Sequence, residues 1–296
     1  MKSRTLNDRR MAIATGLVLT LVALWLELGG TAFTNRLLER LDYLAYDLRY
    51  QLVRPKLDTE QPIVIVDIDE GSLARQGRWP WSREKIAELV AGLSEAGALV
   101  VGFDVIFSEP ERNPARVVSR RLDGQHDDIP RQWLNDIESR VDGDRILSQG
   151  LQQAETVLGF LMHHELGRTE GQLPAPVLEL NGQRSNDLMV PTMGGYTGNL
   201  KPLQEAALGA GFITTLPDLD GVIRRSPLVL RHGDSLYPSL ALEMARVLFF
   251  AEGVEIETQP LGNRRALDTV KLGHLSLQTD AEGRALVPYP GGRFSY

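Results

Sequence analysis

Apolar residues follow three patterns along this chain, and each predicts a different kind of element. The first is an unbroken run from Met11 to Leu28 with no charge until Glu27. At about 1.5 Å rise per residue a helix of that length is roughly 27 Å long, close to the hydrocarbon thickness of a bilayer. Lys2, Arg4, Arg9 and Arg10 precede it, opposed only by Asp8, and basic flanks stay in the cytoplasm. The pattern predicts a cytoplasmic basic tail over 1–10 and one N-terminal transmembrane signal anchor over 11–33. The bulk of the chain then lies on the periplasmic or extracellular side of the inner membrane. A cleaved leader shares the layout, but Gly30-Thr31-Ala32 matches a small-x-small cleavage site poorly.

The second pattern is helical. Leu37, Leu41, Leu44 and Leu48 recur at spacings of four, three and four with charges between them. This predicts a juxtamembrane helix over 34–53 whose stripe packs either on its own domain or on a second copy in a homodimer. Farther on, Ile86, Leu89, Val90 and Leu93 mark a helix capped by Ser82 and stopped at Gly97. Helical spacing returns over Asp144–Ala154 and Ser239–Phe250.

The third pattern is the short β-branched run. Pro62–Asp69 and Ala98–Asp104 read as strands buried on both faces, followed by Thr156–Phe160 and Gly211–Thr214. Strand, helix, strand implies a right-handed crossover and a parallel sheet. Val222–Leu230 reads as a further strand. Val270–Leu272, His274–Gln278 and Ala285–Tyr289 read as short antiparallel strands, with a turn at Asp280–Gly283. The expected fold is α/β, mainly a parallel sheet flanked by helices with an antiparallel C-terminal part, filling one extracytoplasmic domain over 54–296. Asn113–Val141 and Gly167–Lys201 read as long polar or irregular tracts and candidate recognition surfaces.

Composition narrows the function classes. The chain has 296 residues, 43% hydrophobic and 24% charged, enough apolar content for a real core. Its net charge is −7, and because the first ten residues carry +3 the remainder carries −10, which argues against nucleic acid as a partner. With no cysteine there is no disulfide framework, thiol nucleophile or cysteine zinc site. No phosphate-binding, dinucleotide-binding, serine-hydrolase or zinc-protease motif occurs, so no cofactor, resident metal or catalytic residue is expected.

Six segments carry a resemblance. They are Tyr46-Asp47-Leu48-Arg49; Ile65-Val66-Asp67-Ile68-Asp69 with Ser72; Trp79-Pro80-Trp81-Ser82-Arg83; Gly102-Phe103-Asp104-Val105-Ile106-Phe107-Ser108-Glu109-Pro110; Leu208-Gly209 to Phe212; and Asp218-Leu219-Asp220-Gly221-Val222-Ile223-Arg224-Arg225. In order and spacing over about residues 40–296 the chain resembles the class-two CHASE domain, an extracytoplasmic sensory module of bacterial transmembrane receptors. Asn113–Val141 looks like an insertion. The resemblance implies signal input, an unidentified small-molecule or envelope stimulus, and a cytoplasmic output. That output would be a nucleotide cyclase, a diguanylate cyclase or a kinase, with an adenylate or guanylate cyclase favoured. No second apolar run of spanning length follows, so the chain is expected to be either a piece of a longer receptor or a product that ends early.

Three carboxylates are the candidates for chemistry. Asp67, Asp69 and Asp104 stand at the C-terminal ends of two expected parallel strands, where open α/β sheets bind ligands. With Glu109 they can hold a cation or a small ligand, or else fix the loops by bonding amides and Arg224 or Arg225. A membrane-tethered, metal-dependent phosphohydrolase using Asp67, Asp69 and Asp104 is the alternative function. Asp218-x-Asp220-Gly221 reads as a tight turn with Gly221 at positive φ. Arg224 and Arg225 would point to opposite faces of a strand. Trp79, Pro80, Trp81 and Arg83 read as a structural junction at a helix start.

Overall fold

The structure, a computed structural model, describes residues 2–28, 32–52, 63–122, 131–180 and 187–289. It divides into two units, residues 1–64 with 288–296, and residues 65–287.

The first unit holds two helices, α1 (Lys2–Leu28) and α2 (Ala32–Leu52). The described side chains of α1 run from Met11 to Leu24, and all are exposed, including Ile13, Leu17, Leu21 and Leu24. Among the described residues no helix is long and apolar enough to cross a membrane. The expected anchor over 11–33 runs past that description, since the side chains of residues 25–28 and all of residues 29–31 lie outside it. On α2, Leu41, Leu44 and Leu48 are exposed while Tyr43 is buried and donates a hydrogen bond to Glu39 Oε1 at 3.0 Å. Leu41, Leu44 and Leu48 are therefore not packed against the described residues of this unit.

The second unit is organised around β2 (Thr156–His163), whose apolar residues are buried on both faces, as its continuous hydrophobic composition requires. It pairs in parallel with β1 (Val101–Phe103) and β6 (Gly209–Phe212), and antiparallel with β5 (Gly195–Thr197), which carries β3 (Thr169–Glu170). Helix α4 (Arg83–Glu95) starts where Ser82 Oγ accepts from the Lys85 amide. It lays Ile86, Ala87 and Val90 against Leu147 and Leu151 of α7 (Gly143–Leu151) and against Leu158 and Phe160 of β2. A second core joins Val229 of β8 (Val229–His232), Leu236 of β9 (Ser235–Pro238) and Leu242 of α9 (Leu240–Leu248) to a meander. That meander is β10 (Glu255–Leu261), β11 (Arg264–Leu272) and β12 (Leu275–Gln278).

Several expectations are corrected. Pro62–Asp69 is no buried strand: residues 63–69 lack regular structure, and Val64 is 82% exposed. β-branched composition marks a segment able to extend, but in this conformation the run forms no ladder with any described strand. Asp69 instead turns the chain into α3 (Glu70–Gln76), its Oδ1 accepting from the Ser72 amide and hydroxyl at 2.7 Å each. The central sheet is mainly parallel, through β1–β2, β2–β6 and β3–β5, with β2–β5 antiparallel; the remaining named pairs are antiparallel and include β13 (Arg284–Leu286) on β7 (Arg225–Pro227) and β4 (Leu178–Glu179) on β9.

The Asn113–Val141 tract contains two helices, α5 (Pro114–Leu122) and α6 (Arg131–Arg140). Asn113 Oδ1 accepts from the Ala115 and Arg116 amides, and Arg116 Nε pairs with Glu138 at 2.6 Å. In Gly167–Lys201, Val190, Met193 and Asn199 are buried in the core, while residues 167–172 are exposed. The single strand expected over Val222–Leu230 is divided between β7 and β8.

Candidate functional site

Arg83 joins two of the motifs that carry the resemblance. Its Nε pairs with Asp144 Oδ1 at 3.1 Å, its Nη2 donates to the Glu109 carbonyl at 3.0 Å, and its guanidinium lies 4.4 Å from the Phe107 ring centroid. Its own amide donates to Glu111 Oε1, while the Glu111 amide donates to Asp144 Oδ2. The Trp-Pro-Trp-Ser-Arg segment is thus fastened to the Phe-Asp-Val-Ile-Phe-Ser-Glu-Pro segment and to α7. Trp79 and Trp81 meet edge-on at 6.0 Å across a cis Trp79–Pro80 bond, and Trp81 Nε1 donates to the Gly77 carbonyl. Trp81 packs against the first core.

Asn199 completes this seam from the other side of the sheet edge. Wholly buried, it accepts from the Phe107 amide at 2.8 Å and donates to the Gly159 carbonyl at 3.0 Å. The Leu200 amide donates to the Phe107 carbonyl at 2.7 Å. Both peptide groups of the buried Phe107 therefore have partners, which fixes the turn at that residue.

A third network centres on Asp218, whose side chain is 1% exposed. Arg224 reaches Asp218 at 3.4 Å and Asp220 at 3.0 Å; Arg225 reaches Asp218 at 3.6 Å and Asp280 at 3.8 Å; Arg284 reaches Asp280 at 2.9 Å. Gly221 takes φ +82° in the turn, and the Gly221 amide donates to the Asp218 carbonyl. Hydrogen bonds from Arg224 hold the Asp220 carboxyl below its ordinary range. Arg224 and Arg225 thus converge on one carboxylate instead of facing apart, because Arg224 precedes β7 and is not in a strand.

The expected acidic crevice does not form. Asp67 is exposed in the irregular stretch, Asp69 caps α3, Asp104 is exposed after β1, and Glu109 is exposed and offers Arg83 only its carbonyl. Among the described residues, the ion pairs of Arg224, Arg225 and Arg284 go to Asp218, Asp220, Asp280 and Glu282 and not to any of the four. Hydrogen bonds from Ser72 hold Asp69 below the usual carboxylate range. Among the described residues no group of three or more His, Cys, Asp or Glu can hold a metal ion. The crevice was inferred from two parallel strands ending side by side, and the first of those strands is absent.

A cavity of about 410 Å³ lies elsewhere, between the segment Gln172–Val177, the turn from α8 (Lys201–Ala206) into β6, and Glu243 and Arg246 of α9 with Glu252 and Gly253 beyond it. Leu173, Pro174 and Pro176 line one wall, and the ion pair Glu243–Arg246 lines another. That pair is bidentate, with Arg246 Nε and Nη2 at 2.9 and 2.7 Å from the two carboxylate oxygens, and it raises the Arg246 pKa. Gly209 lies so close to Glu243 Oε1 that a Cβ there would require the carboxylate to move. The space is half open to solvent, with apolar and charged walls. Sequence reading missed it because its walls come from three segments separated by up to eighty residues.

The family described as the CHASE2 domain matches residues 17–296. The chain belongs to that family. No curated protein and no solved structure matches it. CHASE2 domains are extracytoplasmic sensory modules of signalling receptors, and this chain is such a sensory domain. In this CHASE2 domain three of the six resembling segments are held by these networks: Arg83 ties Trp79–Arg83 to Gly102–Pro110, Asn199 fixes Phe107, and Asp218 anchors Asp218–Arg225. Asn199, Asp144, Asp280 and Arg284 had no signal in a single sequence, since a buried partner is recognisable only once its counterpart is beside it.

Proposed function

We propose that this CHASE2 domain is the periplasmic input of a membrane-bound bacterial receptor. In this reading it is held by a span over 11–33 and works as a homodimer to control a cytoplasmic output, an adenylate or guanylate cyclase lying outside these residues. The family match over residues 17–296 carries the reading. Further support comes from the 27-residue length of α1, about 40 Å at helical rise, and from the exposure of its apolar side chains, a surface that water does not favour. The basic residues ahead of the run support its orientation.

The exposed stripe Leu41, Leu44, Leu48 on α2, at coiled-coil spacing, supports a dimer seam beside the membrane. The cavity beside Glu243–Arg246 is the stimulus site in this reading. A ligand acts there only through a difference in affinity between two arrangements of the domain.

A reporter enzyme that works only outside the cytosol, fused after Tyr289, tests the topology. It is expected to be active, and activity confined to a cytosolic reporter would overturn the reading. Leu44→Asp is expected to shift the full chain in micelles from dimer to monomer in light scattering, and an unchanged mass would remove the α2 seam.

A further inference from the structure

One edge of the central sheet is open, and the same unit begins with a strand-like run that has no ladder. β1 pairs with β2 alone, and among the described residues no strand lies on its other side. The Val101 amide donates to the Glu155 carbonyl of the turn into β2 at 2.9 Å. Val101 and Phe103 therefore direct their peptide groups toward β2, and the Gly102 N–H and carbonyl face the open edge.

Both faces of that edge are roofed. Phe103 packs against the first core, built on α4 and α7, while Gly102 backs onto Met244 of α9 so closely that a Cβ would collide with its sulfur. A strand added beside β1 would lie between two helical layers, and such a strand is apolar on both faces. Ile65, Val66 and Ile68 have that composition, and Ile65 and Val66 are exposed. Between this run and β1 stand α3 and α4, a connection of the length and kind that joins parallel strands.

We propose that Ile65–Ile68 is a detachable edge strand that docks in parallel on the outer edge of β1, and that the described conformation is its released form. The occupant is the same chain's own run, because a tether of some thirty residues keeps it at millimolar effective concentration, far above that of a second copy (on the order of micromolar). Docking would satisfy the outward peptide groups of β1 and cover the β-branched side chains of Ile65, Val66 and Ile68 in whole or on the faces the two helical layers meet. The run is joined through residues 53–62 to α2. In the sensory reading, on which only this consequence rests, engagement of the strand changes the slack between domain and membrane helix.

Hydrogen exchange on the full chain in micelles tests the docking. The amide of Gly102 and alternate amides of Ile65–Ile68 are expected to exchange at least about ten-fold more slowly than unstructured peptide. The double variant Ile65→Pro/Val66→Pro removes the donors at either register and is expected to release Gly102 while Leu158 and Phe160 stay protected. Unprotected amides in the unaltered chain, or Gly102 protection that survives both prolines, would overturn the proposal. So would protection that rises with protein concentration, which assigns the edge to a second copy.

Should the prolines also unfold β2, labelling decides, because the chain has no cysteine of its own. Ile65→Cys is expected to react with a maleimide at least about ten-fold more slowly than Glu70→Cys, and equal rates would refute docking. None of these readouts depends on the reporter that tests topology.

Discussion

Replacing Arg83 by alanine removes one side chain that three segments share. The Arg83–Asp144 pair is 14% and 18% exposed on its two sides. Its loss therefore falls between that of a surface pair, about 0–1 kcal/mol, and that of a broken buried pair, about 3–5 kcal/mol. About 2 kcal/mol is a fair middle value, because Asp144 keeps the Glu111 amide as a partner at 3.0 Å. The stack on Phe107 adds about 0.5–1 kcal/mol, and the lost bond to the Glu109 carbonyl brings the total to about 3 kcal/mol. For a unit spanning residues 65–287 that corresponds to a fall in Tm of about 6–12 °C.

Calorimetry on the full chain in micelles measures the shift. Arg83→Lys is expected to recover less than half of it, since an ammonium neither stacks as a plane nor forks. A double-mutant cycle with Asp144→Asn is expected to show a coupling of about 1–2 kcal/mol. A Tm fall under about 2 °C, or a coupling within about 0.3 kcal/mol of zero, would refute the assignment of Arg83 as the fastener.

Two further outcomes follow from the same networks. Asn199→Ala leaves the Phe107 amide and the Gly159 carbonyl without their side-chain partner, and is expected to cost about 3 kcal/mol in urea unfolding with an unchanged m-value. Asp220 is held below its ordinary range by Arg224. Its contribution is therefore present above the unfolded carboxylate pKa of about 4 and is lost as pH falls through the lower folded value. Across a Tm series from pH 5 to about pH 2, Asp220→Asn is expected to start lower and fall less steeply than the unaltered chain, and parallel curves would refute that role.

Local patterns were read correctly where the deciding interactions are local. Ser82 capping α4, the leucine spacing of α2 and the turn at Gly221 each depend on residues within four positions, so one sequence suffices. The two helices in the Asn113–Val141 tract were missed because their stabilising contacts, Asn113 to the Glu138 carbonyl and Arg116 to Glu138, span more than twenty positions. Family membership was legible for a related reason: it is carried by short strings such as Trp-Pro-Trp-Ser-Arg, which need no fold to be recognised.

The amino-acid order by itself determined the basic tail and apolar run, the helix that follows, the buried strand β2, and the sensory family to which the chain belongs. Only the tertiary structure decided what the charged residues do. It spread Asp67, Asp69, Asp104 and Glu109 over separate exposed places, and drew Arg224, Arg225 and Arg284 onto Asp218 and Asp280. The cause is the range of the forces involved. Hydrophobic periodicity and capping act between neighbours in the chain, whereas a carboxylate's partner is whichever cation the packed core brings within about 4 Å, and that is a property of the assembled whole.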